Sequence, residues 1–288
     1  MDYFINSEIM LEEFKTNLSD TDFNKLASFI YTNYGIKLPI TKKIMLESRL
    51  KPRLRANNID SYREYCQFIL SGKCGEAEII NMIDLVSTNK TDFYRESAHF
   101  DFMKEVILPE YYENHSEKPF KVWSSASSSG EEAYTIAIVI SEFMEGKRSF
   151  DFQILGTDIS TRILEKAATA IYPLERVDVI PLAQKKKYLL RGKDVEKPSV
   201  RIIPELRSKT RFQRLNLMDN SYDVPNDFDL IFCRNVLIYF DRETQEKVIN
   251  KLCNQLKKGG YFFLGHSESI SGYDVPLKQI KPTMFQKI

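Results

Sequence analysis

Apolar residues recur at helical spacing in the first part of the chain. A first helix is predicted to begin at an N-cap, Ser19 or Asp20, and to bury one face made of Phe23, Leu26, Ala27, Ile30 and Tyr31. Gly35 and Pro39 interrupt the pattern, which then predicts helices over residues 42–56, 62–70 and 76–86. We therefore expect residues 1–87 to form a small helical domain.

From about residue 118 the pattern alternates between strands and helices. Short strands are predicted at residues 120–123, 152–155, 230–233 and 261–264, with helices at 133–144 and 163–171. A further helix is predicted to start at the N-cap Asp241 and to end at Lys257-Lys258-Gly259-Gly260, where cations and glycine suit a helix C-terminus. This alternation predicts an α/β fold with a mostly parallel sheet over residues 118–288, joined to the helical domain by a linker, residues 88–117.

One segment interrupts this alternation. Residues 181–191 have a helical pattern, whereas 200–203 and 211–215 are predicted to be two antiparallel strands. A small β-subdomain inserted at about residues 174–212 explains these patterns better than a long unstructured loop.

Composition excludes several classes of protein. The 41 basic and 40 acidic residues give a net charge of +1, so no strong overall field attracts nucleic acid or an anionic membrane. No stretch approaches the roughly 20 apolar residues of a membrane helix, and the first ten residues lack the basic region of a secretory signal. Cys66, Cys74, Cys233 and Cys253 form no CxxC pair, which predicts free thiols in a reducing cytosol. His99 and His115 lack metal-ligand spacing, so we expect no metal. The free thiols predict a cytoplasmic location.

Candidate chemistry lies just after the predicted strands, where open parallel sheets bind ligands. The small residues 124–130 lead into a helix at Glu131, but they lack G-x-G-x-x-G, and the carboxylate of Glu131 would repel a phosphate. This disfavours NAD and ATP and favours a cationic cofactor. Asp158 follows the second strand, where nucleotide folds place the acid that binds ribose, and Arg234-Asn235 follows a later strand. Together they indicate a cofactor with ribose and positive charge, such as S-adenosylmethionine.

Five blocks of sequence resemble a known family. They are Thr-Asn-Lys-Thr-Asp-Phe-Tyr-Arg (88–95), Val-Trp-Ser-Ser-Ala-Ser-Ser-Ser-Gly-Glu-Glu (122–132), Gly-Thr-Asp-Ile (156–159), Phe-Asp-Leu-Ile-Phe-Cys-Arg-Asn-Val-Leu-Ile-Tyr-Phe (228–240) and Gly-His-Ser-Glu (265–268). Over nearly its whole length the chain resembles the chemotaxis receptor methyltransferases, the CheR family. The resemblance implies a class I, Rossmann-like methyltransferase domain with an inserted β-subdomain, preceded by an all-α domain. It also implies esterification of glutamate side chains on methyl-accepting chemotaxis proteins, with S-adenosylhomocysteine as the product.

The resemblance also implies a set of cofactor-binding residues. Asp158 would hold the ribose, Asn216 and Leu217 would flank the adenine, and the remainder of the pocket would come from Asn89, Thr91, Arg95, Glu131, Arg234 and Asn235. The positions of Glu131, Asp158 and Arg234-Asn235 after predicted strands point to the same role. The other assignments depend on the resemblance alone.

The reaction asks little acid–base chemistry of the protein. A glutamate carboxylate, with an ordinary pKa of about 4.3, is already ionised at neutral pH, so catalysis consists mainly of holding the reacting atoms in line. Two catalytic hypotheses are that Arg95 orients the incoming carboxylate and that Tyr239 supplies a hydroxyl near the methyl group. Structural alternatives remain for several residues: an N-cap for Asp158, a helix-terminal acid for Glu131, a core position for Tyr239 and a packing role for His266.

Contacts with a receptor are predicted from charge and from one loop. The basic stretch from Lys42 to Arg55 is either a solvated helix face or a surface that docks on acidic methylation helices. The loop 191–201 has Gly192 but lacks the second glycine of family members that bind a receptor's C-terminal peptide, so no such tether is expected. We expect a monomer that is transiently present at membrane receptor arrays.

Two rival functions remain open at this point. One is a scaffold or sensor that binds the cofactor without transferring a methyl group. The other is an enzyme acting on nucleic acid or a small molecule. The sequence Asn235-Val-Leu-Ile argues against it, because it is not the Asn-Pro-Pro-aromatic signature of enzymes that methylate a flipped base.

Overall fold

The computed structural model describes residues 17–114 and 118–288. His115 lies outside these ranges, as do the first ten residues, for which the sequence predicts no secretory signal. The chain divides into two compact units: an N-terminal unit of residues up to Thr32 with Lys37–Val86, and a C-terminal unit of Asn33–Ile36 with Ser87–Ile288. Within the described residues, no helix is long and apolar enough to cross a membrane.

The N-terminal unit is helical, as predicted. Its helices are α1 (Asp20–Tyr34), α2 (Lys43–Ala56), α3 (Tyr62–Leu70) and α4 (Gly75–Val86). Ser19 is the N-cap of α1, because its Oγ accepts the Asp22 N–H at 3.0 Å, and Ser61 caps α3 in the same way. The predicted apolar face of α1 is buried at Phe23, Leu26 and Ile30. Since caps and periodicity are local signals, these boundaries were predictable within one residue for α2 to α4.

The C-terminal unit is built on a seven-stranded sheet. Its helices are α5 (Ala98–Phe102), α6 (Leu108–Asn114), α7 (Glu131–Met144), α8 (Thr161–Thr169), α9 (Leu182–Tyr188), α10 (Pro204–Ser208) and α11 (Arg242–Gln255). The strands are β1 (Phe120–Ser124), β2 (Phe152–Asp158), β3 (Ile171–Pro173), β4 (Leu189–Arg191), β5 (Ser199–Ile202), β6 (Thr210–Arg214), β7 (Phe228–Cys233), β8 (Leu256–Leu264), β9 (Leu277–Lys281) and β10 (Met284–Lys287).

The sheet has the order β6-β2-β1-β7-β8-β10-β9. Strands β6, β2, β1, β7 and β8 are parallel, whereas β10 runs antiparallel to β8 and β9. Alternate residues enter two separate cores: Val122, Ile154 and Leu230 on one face, Trp123, Leu155 and Ile231 on the other. Burial on both faces is typical of a parallel sheet covered by helices, which confirms the predicted α/β class.

The predicted pairing of residues 200–203 with 211–215 is wrong. Strand β5 lies at the centre of a three-stranded antiparallel sheet, β3-β5-β4, while β6 pairs in parallel with β2 at the edge of the main sheet. Helix α10 occupies the connection between β5 and β6, so these strands are not joined by the short turn of a hairpin. The small sheet also begins at Ile171, ahead of the expected start of the insertion at residue 174.

The predicted end of the last helix is also wrong. Helix α11 ends at Gln255, and Lys257-Lys258-Gly259-Gly260 lies inside β8. There the register is irregular, because Phe228 pairs with Leu256 but Leu230 pairs with Tyr261, and Gly259 takes a φ of +76°. The cation at the helix end is instead Lys287 of β10, whose Nζ donates to the carbonyls of Cys253 at 2.6 Å and Leu256 at 2.7 Å.

Two smaller boundaries differ as well. Strand β2 continues to Asp158, three residues beyond the predicted end, because residues 156–158 still pair with β6. Helix α8 ends at Thr169 rather than at residue 171, where the chain has already entered β3. Asp158 is therefore the last residue of a strand.

Candidate cofactor site and active site

Candidate residues follow four neighbouring parallel strands. Asn216 and Leu217 come after β6, Asp158 ends β2, Glu131 opens the helix after β1, and Arg234-Asn235 follows β7. Because these strands are adjacent and parallel, their carboxyl ends lie along one edge of the sheet. The fold thus brings the predicted residues to the edge where such sheets bind ligands.

The loop after β1, residues 125–130, is held by a backbone hydrogen bond to β2. The Ser127 N–H donates to the Thr157 carbonyl at 2.8 Å, and the Ser127 Oγ is buried without a hydrogen-bond partner among the described residues. Gly130 takes a φ of +93°, and a Cβ there would lie 3.0 Å from the Ala167 Cβ and from the Tyr172 Oη. Glycine is required at this turn both for its conformation and for lack of space.

Asp158 organises the same loop. One carboxylate oxygen accepts the Ser128 N–H at 2.9 Å, and the other accepts the Ser160 N–H at 3.1 Å. The N-cap of α8 is Ser160, whose Oγ accepts the Ile163 N–H. The N-cap alternative for Asp158 is therefore wrong.

Glu131 is buried at the first position of α7 and bound on both oxygens. Ser129 Oγ donates to Oε2 at 2.6 Å, and Arg176 Nη2 donates to Oε1 at 2.6 Å. Arg176 also binds the Thr91 carbonyl and, at 3.1 Å, the Asp92 carboxylate, so its guanidinium joins the linker to α7. Sequence reasoning missed Arg176, since nothing local relates it to a glutamate 45 positions away.

The linker residues lie against the loop after β1. Ser128 Oγ donates to the Asn89 carbonyl at 3.1 Å, and Thr91 is buried. Arg95 is half-buried, and its Nη1 donates to the Lys90 carbonyl at 3.0 Å. The Asn89 carbonyl therefore binds the loop after β1 and the Thr91 carbonyl binds Arg176, while Arg95 presents a partly exposed guanidinium.

Arg234 is the centre of a buried polar network. Its side chain is 2% exposed, its Nε donates to Glu132 Oε2 at 2.7 Å, and its Nη1 donates to the Arg95 carbonyl at 2.7 Å. The guanidinium also lies 5.4 and 5.5 Å from the ring centres of Phe100 and Phe232. These contacts hold the linker to the sheet.

His99 is a neutral member of this network. Burial, and then the charge of Arg234, lower the pKa of His99 to about 3. Its Nδ1 is 3.0 Å from Arg234 Nη1, so it accepts there, and its Nε2 donates to Thr283 Oγ1 at 2.8 Å. The assignment is consistent because Thr283 Oγ1 uses its own proton for the Pro282 carbonyl.

Asn235 sits in a turn that Glu268 holds. Asn235 has a φ of +58°, and its N–H and those of Val236 and Leu237 donate to the Glu268 carboxylate at 2.8–2.9 Å. Tyr239 ends the short helix that follows and is half-buried, so it is not a core residue. His266 is exposed and its ring centre is 5.9 Å from that of His99.

Asn216 is fixed by the segment 33–36 of the C-terminal unit. Its Nδ2 donates to the Asn33 carbonyl at 2.8 Å, and its Oδ1 accepts the Met218 N–H at 3.0 Å. Leu217 is buried beside it. The amide is thus held in one orientation at the end of β6.

Metal and thiol chemistry find no support in residues 17–114 and 118–288. No group of His, Cys, Asp or Glu in these ranges could hold a metal ion. Burial raises the pKa of Cys66 and of Cys253 to about 12, which keeps both thiols protonated.

The residues at this edge fit S-adenosylmethionine. Two buried carboxylates, Glu131 and Asp158, face a loop of small residues and suit an ammonium group and a ribose rather than a phosphate. The parallel sheet and this edge define a class I S-adenosylmethionine-dependent methyltransferase. The chain belongs to the CheR methyltransferase family: the family's all-alpha domain matches residues 21–87, and its SAM-binding domain matches residues 89–285.

Curated relatives agree with this assignment. The chain is 41% identical to the chemotaxis protein methyltransferase of Borreliella burgdorferi, over 94% of this chain and 95% of that protein. It is 37% identical to the chemotaxis protein methyltransferase of Salmonella typhimurium (88% and 85%) and 35% identical to chemotaxis protein methyltransferase 2 of Pseudomonas aeruginosa (86% and 86%). The family resemblance predicted from the sequence is confirmed.

Proposed function

We propose that this protein transfers the methyl group of S-adenosylmethionine to glutamate side chains of chemotaxis receptors and forms methyl esters. The observation that carries the proposal is the edge of four parallel strands, where the buried carboxylates Glu131 and Asp158 lie within the family's SAM-binding domain. The relatives named above are chemotaxis protein methyltransferases, which supports a receptor as the substrate.

Each of the four strand ends contributes one part of the proposed cofactor site, and Asn235 is the part that follows β7. Asp158 would bind the ribose hydroxyls, Asn216 and Leu217 the adenine, and Glu131 the ammonium group, with Asn89 and Thr91 completing the pocket from the linker. Bound S-adenosylmethionine supplies an electrophilic methyl group on a sulfonium. Glu131 already pairs with Arg176, so the ammonium would share this carboxylate with a guanidinium.

The acceptor side requires orientation rather than a base. A receptor glutamate is ionised near neutral pH, and an oriented carboxylate reacts far faster than a freely diffusing one. Arg95 would orient it, because only one of its five N–H groups is needed for the Lys90 carbonyl. Tyr239 would place its hydroxyl beside the transferred methyl group.

Receptor docking falls to part of the basic helix. Of the five basic side chains of α2, three hold the N-terminal unit together: Lys43 pairs with Asp20, Arg53 pairs with Glu78, and Arg49 donates to the Leu85 carbonyl. Lys51 and Arg55 are exposed on α2, and they are the residues proposed to meet an acidic receptor helix.

The test is transfer of labelled methyl to receptor-containing membranes, followed by mild alkali. Alkali-labile label on the receptor is expected, since a methyl ester hydrolyses under these conditions; alkali-stable label would contradict ester formation. Asp158→Asn should abolish labelling by weakening cofactor binding. Cofactor binding without any label would instead support a scaffold or sensor, which the methyltransferase relatives do not favour.

A charge reversal separates the docking surface from the cofactor site. The double variant Lys51→Glu/Arg55→Glu should raise the KM for receptor and leave the Kd for S-adenosylmethionine unchanged. Lys73→Glu removes an exposed lysine of the same unit outside α2 and serves as the matched control. Equal effects of both changes would refute a role for α2. A receptor C-terminal peptide should not be retained on the immobilised protein.

A further inference from the structure

Glu268 gathers backbone N–H groups from two loops. Its Oε2 accepts from Asn235 at 2.9 Å and from Gly265 at 2.7 Å, and its Oε1 accepts from Val236 at 2.9 Å and from Leu237 at 2.8 Å. One carboxylate therefore satisfies three consecutive donors after β7 and one after β8. Such donors lie outside any strand ladder and would otherwise be left to water.

The two loops are in direct contact at this point. A Cβ on Gly265 would lie 2.5 Å from the Asn235 Nδ2 and 2.9 Å from the Asn235 N, so only glycine fits. Asn235 itself has a φ of +58°, a conformation that costs a non-glycine residue free energy and persists only when its surroundings impose it. The Gly265 contact and the Glu268 hydrogen bonds impose it, beside the hydrogen bond from Asn235 Nδ2 to Glu96 Oε1 at 3.3 Å.

Glu268 is suited to position this turn and not to touch the ligand. Each oxygen already accepts two hydrogen bonds, which is the usual capacity of a carboxylate oxygen. The chain it holds leads from Asn235 to Tyr239, and these are a proposed cofactor residue and a proposed catalytic residue.

We propose that Glu268 is the positioning residue of the turn after β7, and that it sets the affinity for S-adenosylmethionine by fixing Asn235. This role rests on the proposed function, because it takes Asn235 to contact the cofactor. Glu268 acts by geometry: it needs both its charge and its full length to reach donors on two loops.

Two variants separate geometry from charge. Glu268→Gln has the same length but turns an NH₂ group towards N–H donors, and Glu268→Asp keeps the charge but is one methylene shorter. Both should weaken S-adenosylmethionine binding by roughly tenfold or more, the effect of leaving buried donors unpaired. The KM for the cofactor should rise equally and the KM for receptor should stay unchanged. Wild-type affinity in Glu268→Asp would overturn the geometric role.

Asp229→Asn is the matched control. Asp229 lies at the start of β7, at the opposite end from the turn that Glu268 holds. Its carboxylate accepts the Lys121 N–H at 2.8 Å and binds Lys257 Nζ at 2.7 Å. It should lower stability without changing cofactor affinity. An equal loss of affinity in this variant would show that Glu268 matters only for folding.

Hydrogen exchange on the ligand-free protein tests positioning without the enzyme reaction. The amides of residues 235–237 and 265 should be protected in the wild type and should exchange faster in both Glu268 variants. Unprotected amides in the folded wild type overturn the proposal even if neither variant folds. If these amides are protected but wild type binds no S-adenosylmethionine, the proposed function fails and the link from Glu268 to cofactor affinity fails with it.

Discussion

Replacing Arg234 with methionine should leave the buried carboxylate of Glu132 without its ion-pair partner. The side chains of Arg234 and Glu132 are 2% and 9% exposed, and their Nε–Oε2 distance is 2.7 Å. After the change, Glu132 keeps one hydrogen bond, from Ser124 Oγ at 2.6 Å. Breaking a buried ion pair by removing one partner costs about 3–5 kcal/mol. Because the free energy of unfolding of a domain is about 5–15 kcal/mol, the variant would lose a large part of the stability of this unit.

The loss can be measured in the C-terminal unit alone. Trp123 is the only tryptophan of the chain and is fully buried in that unit, so its fluorescence during urea titration reports the unfolding free energy there. Arg242→Met is the control: this exposed arginine binds the Gly272 carbonyl and lies over the Tyr273 ring, and its loss should cost less than about 1 kcal/mol.

A double variant tests the cause of the loss. Glu132→Gln in the Arg234→Met background removes the unpaired buried charge. The loss in free energy of unfolding of the double variant should therefore be smaller than the sum of the losses of the two single variants. Strict additivity, or a cost below about 1 kcal/mol for Arg234→Met, would refute the view that the buried Arg234–Glu132 ion pair stabilises this unit.

Three other changes address stability. Burial and the charge of Arg234 lower the pKa of His99 to about 3, so on acidification the unfolded state binds the proton first. The free energy of unfolding should therefore fall as the pH drops below about 6.5, by up to about 1.4 kcal/mol per pH unit. The variant His99→Asn should remove this slope in urea titrations between pH 6.5 and pH 5. Gly35→Ala places a Cβ 1.9 Å from a Phe240 ring carbon and should cost more by Trp123 fluorescence than Gly146→Ala, which has the same sign of φ and open space. Lys287→Met should cost about 1 kcal/mol by removing the cation from the end of α11, and an equal loss in Lys258→Met would contradict that role.

Features encoded by nearby residues could be predicted from the sequence. The N-caps Ser19 and Asp241 and the helix Tyr62–Leu70 follow from caps and periodicity within a few positions. The rule that ligands bind at strand ends singled out Glu131, Asp158 and Asn235 before any pairing was known.

Features that depend on distant partners could not be predicted. The pairing of β6 with β2 instead of β5 is decided by which hydrophobic faces meet in three dimensions, and a local pattern carries no register. Lys287 at the end of α11, Arg176 on Glu131 and Glu268 on Asn235 join residues 31–45 positions apart. Gly-His-Ser-Glu was singled out as a motif, yet its glutamate shows a role only when the N–H groups around it are seen.

The C-terminal unit is discontinuous in sequence, and this bears on how it folds. Its segment Asn33–Ile36 meets Asn216 across 183 positions, so this contact closes a very long loop. Contacts of such separation form late, although the segment leaves the ribosome first. We expect it to dock after the sheet has assembled. A polypeptide beginning at Ser87 would then lack the last piece of its own unit, with the Asn216 amide deprived of its acceptor.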